Sequence, residues 1–175
     1  MPKLTRPHAR FHASFLATLA EFRAAGPLSD WAARIDHEAV RAPSGFSAYI
    51  DSLHARRTPD SVAAEGPVPE SSLFWSEGDE FLGRIAIRHR LNSRLEVMGG
   101  HIGYVIRPGA QGRGHATALL LAAMPVAYAL GVDDALLTTD PDNHASRRVI
   151  EKCGGRLVDQ KPGHCYYRLR TGPGA

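Results

Sequence analysis

Cysteine is nearly missing. Cys153 and Cys165 are the only two in 175 residues, which excludes a disulfide-stapled extracellular scaffold and leads us to expect two reduced thiols in a cytoplasmic protein. No Cys-x-x-Cys pair occurs. His8 and His12 stand four apart without a glutamate after the first histidine or a third ligand nearby, so no metal site is expected. No apolar run approaches the roughly 20 residues of a membrane span. Residues 1–28 are interrupted by Arg6, Arg10, Glu21 and Arg23, which removes the apolar block of a signal peptide. Charge of one sign is scarce as well: 21 Lys and Arg against 18 Asp and Glu leave a formal +3. A nucleic-acid binder needs a concentrated basic patch, so none is expected here, whereas an anionic small ligand remains compatible. There is no internal repeat. What is present, 43% hydrophobic and 22% charged residues, is ordinary for a globular protein, and the length suits a single domain over residues 1–175 with one core.

Periodicity orders the elements. Residues 8–25 carry Phe11, Phe15, Leu16, Leu19 and Phe22 at helical spacing and stop at Gly26-Pro27. Residues 2–7 ahead of them read as an extended arm, and 31–42 as a short helix and a loop. Ser44 is a suitable N-cap for a helix to about Arg56, with Phe46, Tyr49, Ile50 and Leu53 on one face. The Pro-, Ala- and Ser-rich residues 58–70 read as a surface loop. Strands at 72–76 and 81–90 flank the turn Glu77-Gly78-Asp79-Glu80, 92–100 connect, and 101–107 form a third strand. A helix from about 112 to 130 follows, with Pro125 as a point of kinking. A strand at 135–139, a helix at 145–153, strands at 156–159 and 164–170, and a tail at 171–175 complete the chain.

One stretch organises the rest: Val105-Ile106-Arg107-Pro108-Gly109-Ala110-Gln111-Gly112-Arg113-Gly114-His115-Ala116-Thr117. An apolar strand runs through a glycine-rich loop, with one arginine and no acid, into a helix. The first N–H groups of a helix point outward unpaired, and its dipole favours negative charge there. Glycines let a phosphate approach the main chain, and Arg113 adds charge. These features imply a diphosphate-bearing ligand held by backbone. No Gly-Lys pair occurs, which excludes a P-loop. Gly112-Arg113-Gly114-His115-Ala116-Thr117 begins a dinucleotide fingerprint but ends it on threonine. It also follows at least two strands, although Asp133 and Asp134 stand at a distance suited to a ribose contact. A third pattern, Gln/Arg-x-x-Gly-x-Gly/Ala, is met by Gln111-x-x-Gly114-x-Ala116 at every defined position.

In this strand–loop–helix setting, that last pattern resembles the cofactor loop of the GNAT superfamily of acetyl-CoA-dependent N-acetyltransferases. Asn143-x-x-Ser146-x-x-Val149-Ile150-Glu151-Lys152-x-Gly154-Gly155 looks like the second signature of the superfamily. Ile87-Arg88-His89-x-Leu91, Gly99-Gly100-His101-Ile102-Gly103-Tyr104 and Ile106-Arg107-Pro108 resemble one bacterial branch of its predicted members. The resemblance covers residues 74–167 well. It implies an α+β fold with a mixed, mostly antiparallel central sheet flanked by helices, and acetyl-CoA as co-substrate. It also implies that main-chain groups of Tyr104, Val105 and Ile106 line the pantetheine arm. Gln111, Gly112, Arg113, Gly114, His115 and Ala116 would hold the pyrophosphate, with Thr117 close by. Asn143 would meet the arm as well as cap its helix, and Ser146 and Arg147 would face the nucleotide end.

The acid and base stay open. Ile150 stands where many superfamily members carry a tyrosine that protonates the leaving thiolate. Either Tyr104, Tyr166 or Tyr167 takes over, or CoA leaves as thiolate, as the moderate pKa of a thiol permits. His101, at the start of the cofactor strand, is the candidate base, since an imidazole titrates near neutrality; the competing reading is a histidine fixed by hydrogen bonds. His89 and Glu96 are lesser candidates. The acceptor pocket is expected between the loop after the first helix, the second helix and the last hairpin. The first two hold Trp31, Asp36, His37, Glu38, Tyr49, Asp51 and His54. Their acids either attract a cationic amine or are solvated surface. The leading function is thus acetyl transfer to a small-molecule or peptide amine by direct attack, because Cys153 has no evident activating partner. Ile150 keeps alive a non-catalytic acyl-CoA-binding or sensor module, and NAD in place of CoA would indicate an oxidoreductase. The edges of the last hairpin are a place for two copies to pair in a homodimer.

Overall fold

The computed structural model describes residues 1–26, 29–58 and 65–173. Pro27 of the expected helix stop, residues 59–64 of the expected 58–70 loop and the last two residues of the tail lie outside the described residues. In chain order the elements are β1 (Lys3–Thr5), α1 (His12–Ala24), α2 (Asp30–Ala33), α3 (Pro43–Ala55), β2 (Glu70–Glu77) and β3 (Glu80–Arg88). They continue with α4 (Ser93–Val97), β4 (Ile102–Ile106), α5 (His115–Ala129), β5 (Asp134–Thr139), α6 (His144–Lys152), β6 (Arg156–Lys161) and β7 (His164–Arg170). Every registered strand pair is antiparallel, in one sheet ordered β1-β2-β3-β4 and another ordered β5-β7-β6. This is the α+β architecture expected from the sequence. Among the described residues no helix is long and apolar enough to cross a membrane.

Three local readings change. The arm at 2–7 contains β1, which pairs with β2 through Leu4 opposite Trp75, and Thr5 Oγ1 meets Ser76 Oγ at 3.0 Å. Ser44 does not cap α3. The cap position is Ala42, two residues earlier, and Pro43 opens the first turn, where proline loses nothing because that N–H has no intrahelical partner anyway. The connection at 92–100 holds α4, capped by Asn92, whose Oδ1 accepts the Leu95 N–H at 3.0 Å.

The alternation of β2 and β3 divides the core in two. Phe74 and Phe81 join Phe11 and Phe15 of the first helical segment and Phe46, Ile50 and Leu53 of α3 on one side. Ile85 and Ile87 join Ile102 and Ile106 of β4, Leu119, Leu120 and Ala123 of α5, and Ile150 of α6 on the other. At roughly 1.5–3 kcal/mol per large side chain removed from water, these two layers fix the sheet between its helices.

The two sheets are fastened where β4 begins. The His101 N–H donates to the Leu136 carbonyl at 2.7 Å, the Leu136 N–H donates to His101 Nδ1 at 2.9 Å, and the Gly99 N–H donates to Thr138 Oγ1 at 2.8 Å. Gly100 makes this approach possible: its φ is +59°, and a Cβ would collide with the Leu136 carbonyl. Beyond this clasp no ladder joins β4 to β5, so two edge strands lie side by side with their facing edges unpaired.

Candidate functional site

The clasp and the loop after β4 frame the site. Arg107 follows the strand and anchors the loop: its Nε donates to Glu21 Oε1 at 2.7 Å and its Nη1 to Glu80 Oε1 at 3.0 Å. Glu21 Oε2 also accepts the Gly109 N–H at 2.9 Å, so α1 holds the loop from below. Bonding to Arg107 keeps the Glu21 carboxyl below its ordinary pKa. The Ala110 and Gln111 N–H groups close a short turn onto Arg107 and Pro108, and Gln111 Nε2 donates to the Ile106 carbonyl at 3.1 Å. Gln111 therefore braces the loop with its side chain.

Past that brace the main chain opens. The N–H groups of Gly112, Arg113, Gly114, His115, Ala116 and Thr117 donate to no acceptor among the described residues. Gly114 caps α5 with φ +81°, and a Cβ at Gly112 or Gly114 would meet nothing within 4 Å. Unpaired donors, the positive end of a 15-residue helix and the exposed Arg113 converge on open space, a combination with the electrostatics that suit an anion. His115 belongs to the loop's support: its Nδ1 accepts the Trp75 indole N–H at 3.3 Å. A neighbouring polar cleft of about 200 Å³ shares Arg113 and His115 but is lined by Glu21, Glu77 and Glu80, a poor surface for phosphate.

The free edge of β4 follows from its register. Arg88 donates its N–H to the His101 carbonyl, and Arg107 donates its own to Leu82. Opposite residues in an antiparallel ladder alternate between bonded and unbonded pairs. The His101 carbonyl, the main-chain groups of Gly103 and Val105, and the Arg107 N–H therefore face β3, and Ile102, Tyr104 and Ile106 turn their main chain to the open edge. This divides the expected trio. Tyr104 and Ile106 present main-chain groups, with the Ile106 carbonyl taken by Gln111, whereas Val105 spends its own on its partner Arg84.

Side chains from α6 meet this edge. The Tyr104 hydroxyl lies 3.0 Å from Ser146 Oγ. Burial pushes the phenol pKa up to about 12, against the opposing pull of the Ser146 hydrogen bond. Asn143 caps α6, accepting the Ser146 N–H at 3.0 Å. Arg147, expected toward the nucleotide end, turns instead to Tyr167, donating from Nε at 3.0 Å, and to the Pro141 carbonyl at 3.2 Å. Tyr167 in turn donates to Glu151 at 2.9 Å, and Tyr166 donates to the Val97 carbonyl at 3.0 Å, so both of these hydroxyls are committed. Ile150 is 1% exposed and packs in the core. Cys153 is buried and its thiol is pushed up by desolvation, which disfavours a nucleophilic thiolate.

His101 has a different task from that of a free base. Its Nδ1 is occupied by the Leu136 N–H, which leaves the neutral ring with its proton on Nε2. Burial, reinforced by Arg168, lowers its pKa. His89 bonds Ser71 Oγ at 2.9 Å and is likewise lowered by burial, and Glu96 is exposed on α4.

On the α1–α3 side of the sheet, Trp31 donates to the Tyr49 hydroxyl at 3.3 Å, so two of the residues expected near the acceptor do meet. The acids do not line a pocket with them. Asp36 caps the turn at Glu38 and Ala39, Glu38 pairs with Arg41, and Asp51 is exposed. His37 bonds the Ala32 carbonyl and His54 that of Pro7. Around Trp31 and Tyr49 the sheet instead presents Arg84, Arg88 and Glu70, a cluster that the sequence reading passed over. Its signal was the run Arg84-x-Ala86-x-Arg88, which alternates with Ile85 and Ile87 and so places both arginines on one face.

The model of the Acetyltransferase (GNAT) domain family matches residues 19–156. The chain belongs to the GNAT acetyltransferases. No curated protein matches it significantly in sequence. Solved GNAT-fold structures do match in shape. Mycobacterium smegmatis RimJ, in complex with CoA-disulfide, is 18% identical with a TM-score of 0.67, over 95% of this chain and 80% of that one. The microcin C7 self-immunity acetyltransferase MccE, in complex with acetyl-CoA and AMP, is 16% identical with a TM-score of 0.64, over 97% and 92%. YncA of Salmonella typhimurium, with its cofactor acetyl-CoA, is 14% identical with a TM-score of 0.63, over 99% and 96%. At these identities the likeness establishes the shared fold.

Proposed function

We propose that this GNAT chain transfers the acetyl group of acetyl-CoA to an amine by direct attack. The observation that carries the reading is the run of unpartnered N–H groups from Gly112 to Thr117 at the start of α5, beside the unpaired edge of β4. The residues fit the co-substrate. The loop N–H groups and Arg113 suit its pyrophosphate, and the main chain of Tyr104 and Ile106 suits the amides of its pantetheine arm. That RimJ, MccE and YncA have been solved with CoA or acetyl-CoA supports the same reading.

When bound, acetyl-CoA would supply the thioester; the protein supplies position and a hydrogen bond to the departing sulfur, and the proton that the attacking amine sheds ends on the CoA thiol. Tyr104, with its raised pKa, stays protonated across the working range, and its hydroxyl has two acceptors on Ser146, Oγ at 3.0 Å and the main-chain carbonyl at 3.3 Å. In this scheme Ser146 turns its own hydroxyl hydrogen into the opening, where a departing thiolate needs a donor. This pair takes the place that Ile150 leaves empty. Cys153 carries no acyl group in this scheme, because burial holds it as a thiol. The acceptor is a small-molecule or peptide amine, and we place the reaction in the cytoplasm.

Thermal midpoints with acetyl-CoA, CoA and NAD, in wild type and Gly114→Trp, test the cofactor. A ligand that binds the native state alone raises the midpoint by mass action. Stabilisation by both CoA forms but not NAD, lost in Gly114→Trp, is expected. A folded protein that responds to neither CoA form would overturn the reading. Amine-dependent release of CoA thiol across an acceptor panel separates the enzyme from a non-catalytic acyl-CoA module.

A further inference from the structure

The face of β2–β4 turned toward α1 and α3 carries excess positive charge. Arg84 and Arg88 project from β3. The single carboxylate of Glu70 answers them, 3.8 Å from Arg84, 3.3 Å from Arg88 and 3.8 Å from Arg56 at the end of α3. Arg34 lies close enough to repel Arg88 further. Three cations thus share one anion, and a fourth adds repulsion.

The pairing is also incomplete. Arg84 is 12% exposed at its side chain, yet of its five N–H donors one alone makes a hydrogen bond among the described residues, from Nη2 to Ser72 Oγ at 2.9 Å. Its Nε is buried without an acceptor, and Glu70 Oε1 is buried without a donor in range. A desolvated guanidinium in this state costs free energy that an incoming oxyanion would recover. Arg88 is better satisfied, donating from Nη1 to the carbonyls of Gly99 at 3.1 Å and Gly100 at 2.9 Å.

At one position beside these groups β4 carries no side chain. Gly103 of β4 shares their face, paired with Ala86 between the two arginines. A Cβ on Gly103 would meet nothing nearer than the Arg88 guanidinium, at 4.0 Å. The opposite face of the same strand is filled by the core under α5. A molecule approaching the open edge of β4 over Gly103 therefore passes the arginines.

We propose that the amine acceptor carries an oxyanion, a carboxylate as in amino acids and short peptides, and that Arg84 binds it from the floor of the acceptor side. This assignment rests on the acetyltransferase reading. It commits to acceptors that carry an acid group, where the acids expected on the acceptor side were read either as attracting a cationic amine or as solvated surface.

Binding is measured first, so that the two readings fail separately. The twenty amino acids, their carboxamides and phosphorylated amines are added to the protein saturated with CoA, and the thermal midpoint is followed. At least one acid form is expected to stabilise the complex while its amide does not. Arg84→Met, which keeps the length of the apolar stem, should weaken that ligand roughly tenfold or more while retaining the full shift from acetyl-CoA, the control for folding. Stabilisation by phosphorylated amines alone, lost in the same variant, would keep the oxyanion site and change its ligand to phosphate. Neutral amides binding as well as acids, no oxyanion binding at all, or undiminished binding by Arg84→Met would each overturn the proposal. If acid forms bind and none releases CoA from acetyl-CoA, the acetyltransferase reading falls and the anion site stands.

Discussion

Replacing His101 by asparagine separates two roles that look alike in sequence. Asparagine Oδ1 stands two bonds beyond Cβ, where His101 Nδ1 now accepts the Leu136 N–H at 2.9 Å. His101→Asn therefore keeps the clasp and removes the titrating ring. His101→Ala removes the acceptor and strands a buried donor, since Leu136 is 6% exposed. That loss costs about 1–3 kcal/mol, or roughly 2–12 °C in midpoint for a chain of this size. We expect His101→Asn to melt within about 2 °C of wild type and to keep kcat within a few-fold, and His101→Ala to lose stability and raise the KM for acetyl-CoA. The pH dependence carries a second signature. Because the native pKa of His101 lies below its unfolded value of about 6.5, the stability contributed by its neutral form is complete above that pH. It is lost as the pH falls toward the native pKa, where the unfolded chain binds a proton that the native ring refuses. His89 behaves in the same sense. His101→Asn should accordingly flatten the acid-side slope of stability by at most about 1.4 kcal/mol per pH unit, one proton's worth. Denaturant melts from pH 5 to 8, with CoA release measured alongside, supply both readouts. A His101→Asn protein that folds, is stabilised by acetyl-CoA and yet loses kcat by roughly 100-fold or more, the scale of a general base, would refute this reasoning and restore the histidine as base.

Two other variants probe the machinery. Ser146→Ala is expected to lower kcat by about 10–100-fold with little change in acetyl-CoA affinity, and Tyr104→Phe by less, because it removes the group that orients the serine; equal and negligible effects from both would dismiss the pair as donors to the departing sulfur. Glu21→Gln weakens the link between α1 and the loop, costing about 1–2 kcal/mol and raising the Kd for acetyl-CoA at unchanged kcat. Since Arg107 holds the Glu21 carboxyl below its usual range, the contribution of this link is present above the unfolded pKa and fades as the pH drops through the native one. A Glu21→Gln protein whose stability follows acid pH as wild type does would show that the link contributes little.

Much of this molecule is local and therefore legible in one dimension. The helical spacing of Phe11, Phe15, Leu19 and Phe22, the alternation around Ile85 and Ile87, and the glycines of the 109–114 loop each act through neighbours within a few residues, so the chain itself specifies α1, the β2–β3 hairpin and the loop ahead of α5. Asn143 as a cap is of the same kind. Other features depend on residues far apart, and only the folded chain could decide them. β1 is a strand because β2, 69 to 73 positions away, has an edge to offer. His101 is a clasp because Leu136 on the other sheet needs an acceptor, and whether Tyr104 or Val105 faces the open edge depends on the register of β4 against β3. Arg84, Arg88 and Glu70 are unremarkable charges in the sequence; they become a site because strand pairing sets them on one half-buried face, where charge goes unscreened and its pairing must be complete. Sequence order fixes which groups the chain carries. Burial and register, set by tertiary packing, determine which hydrogen bonds are already made and which remain for a ligand.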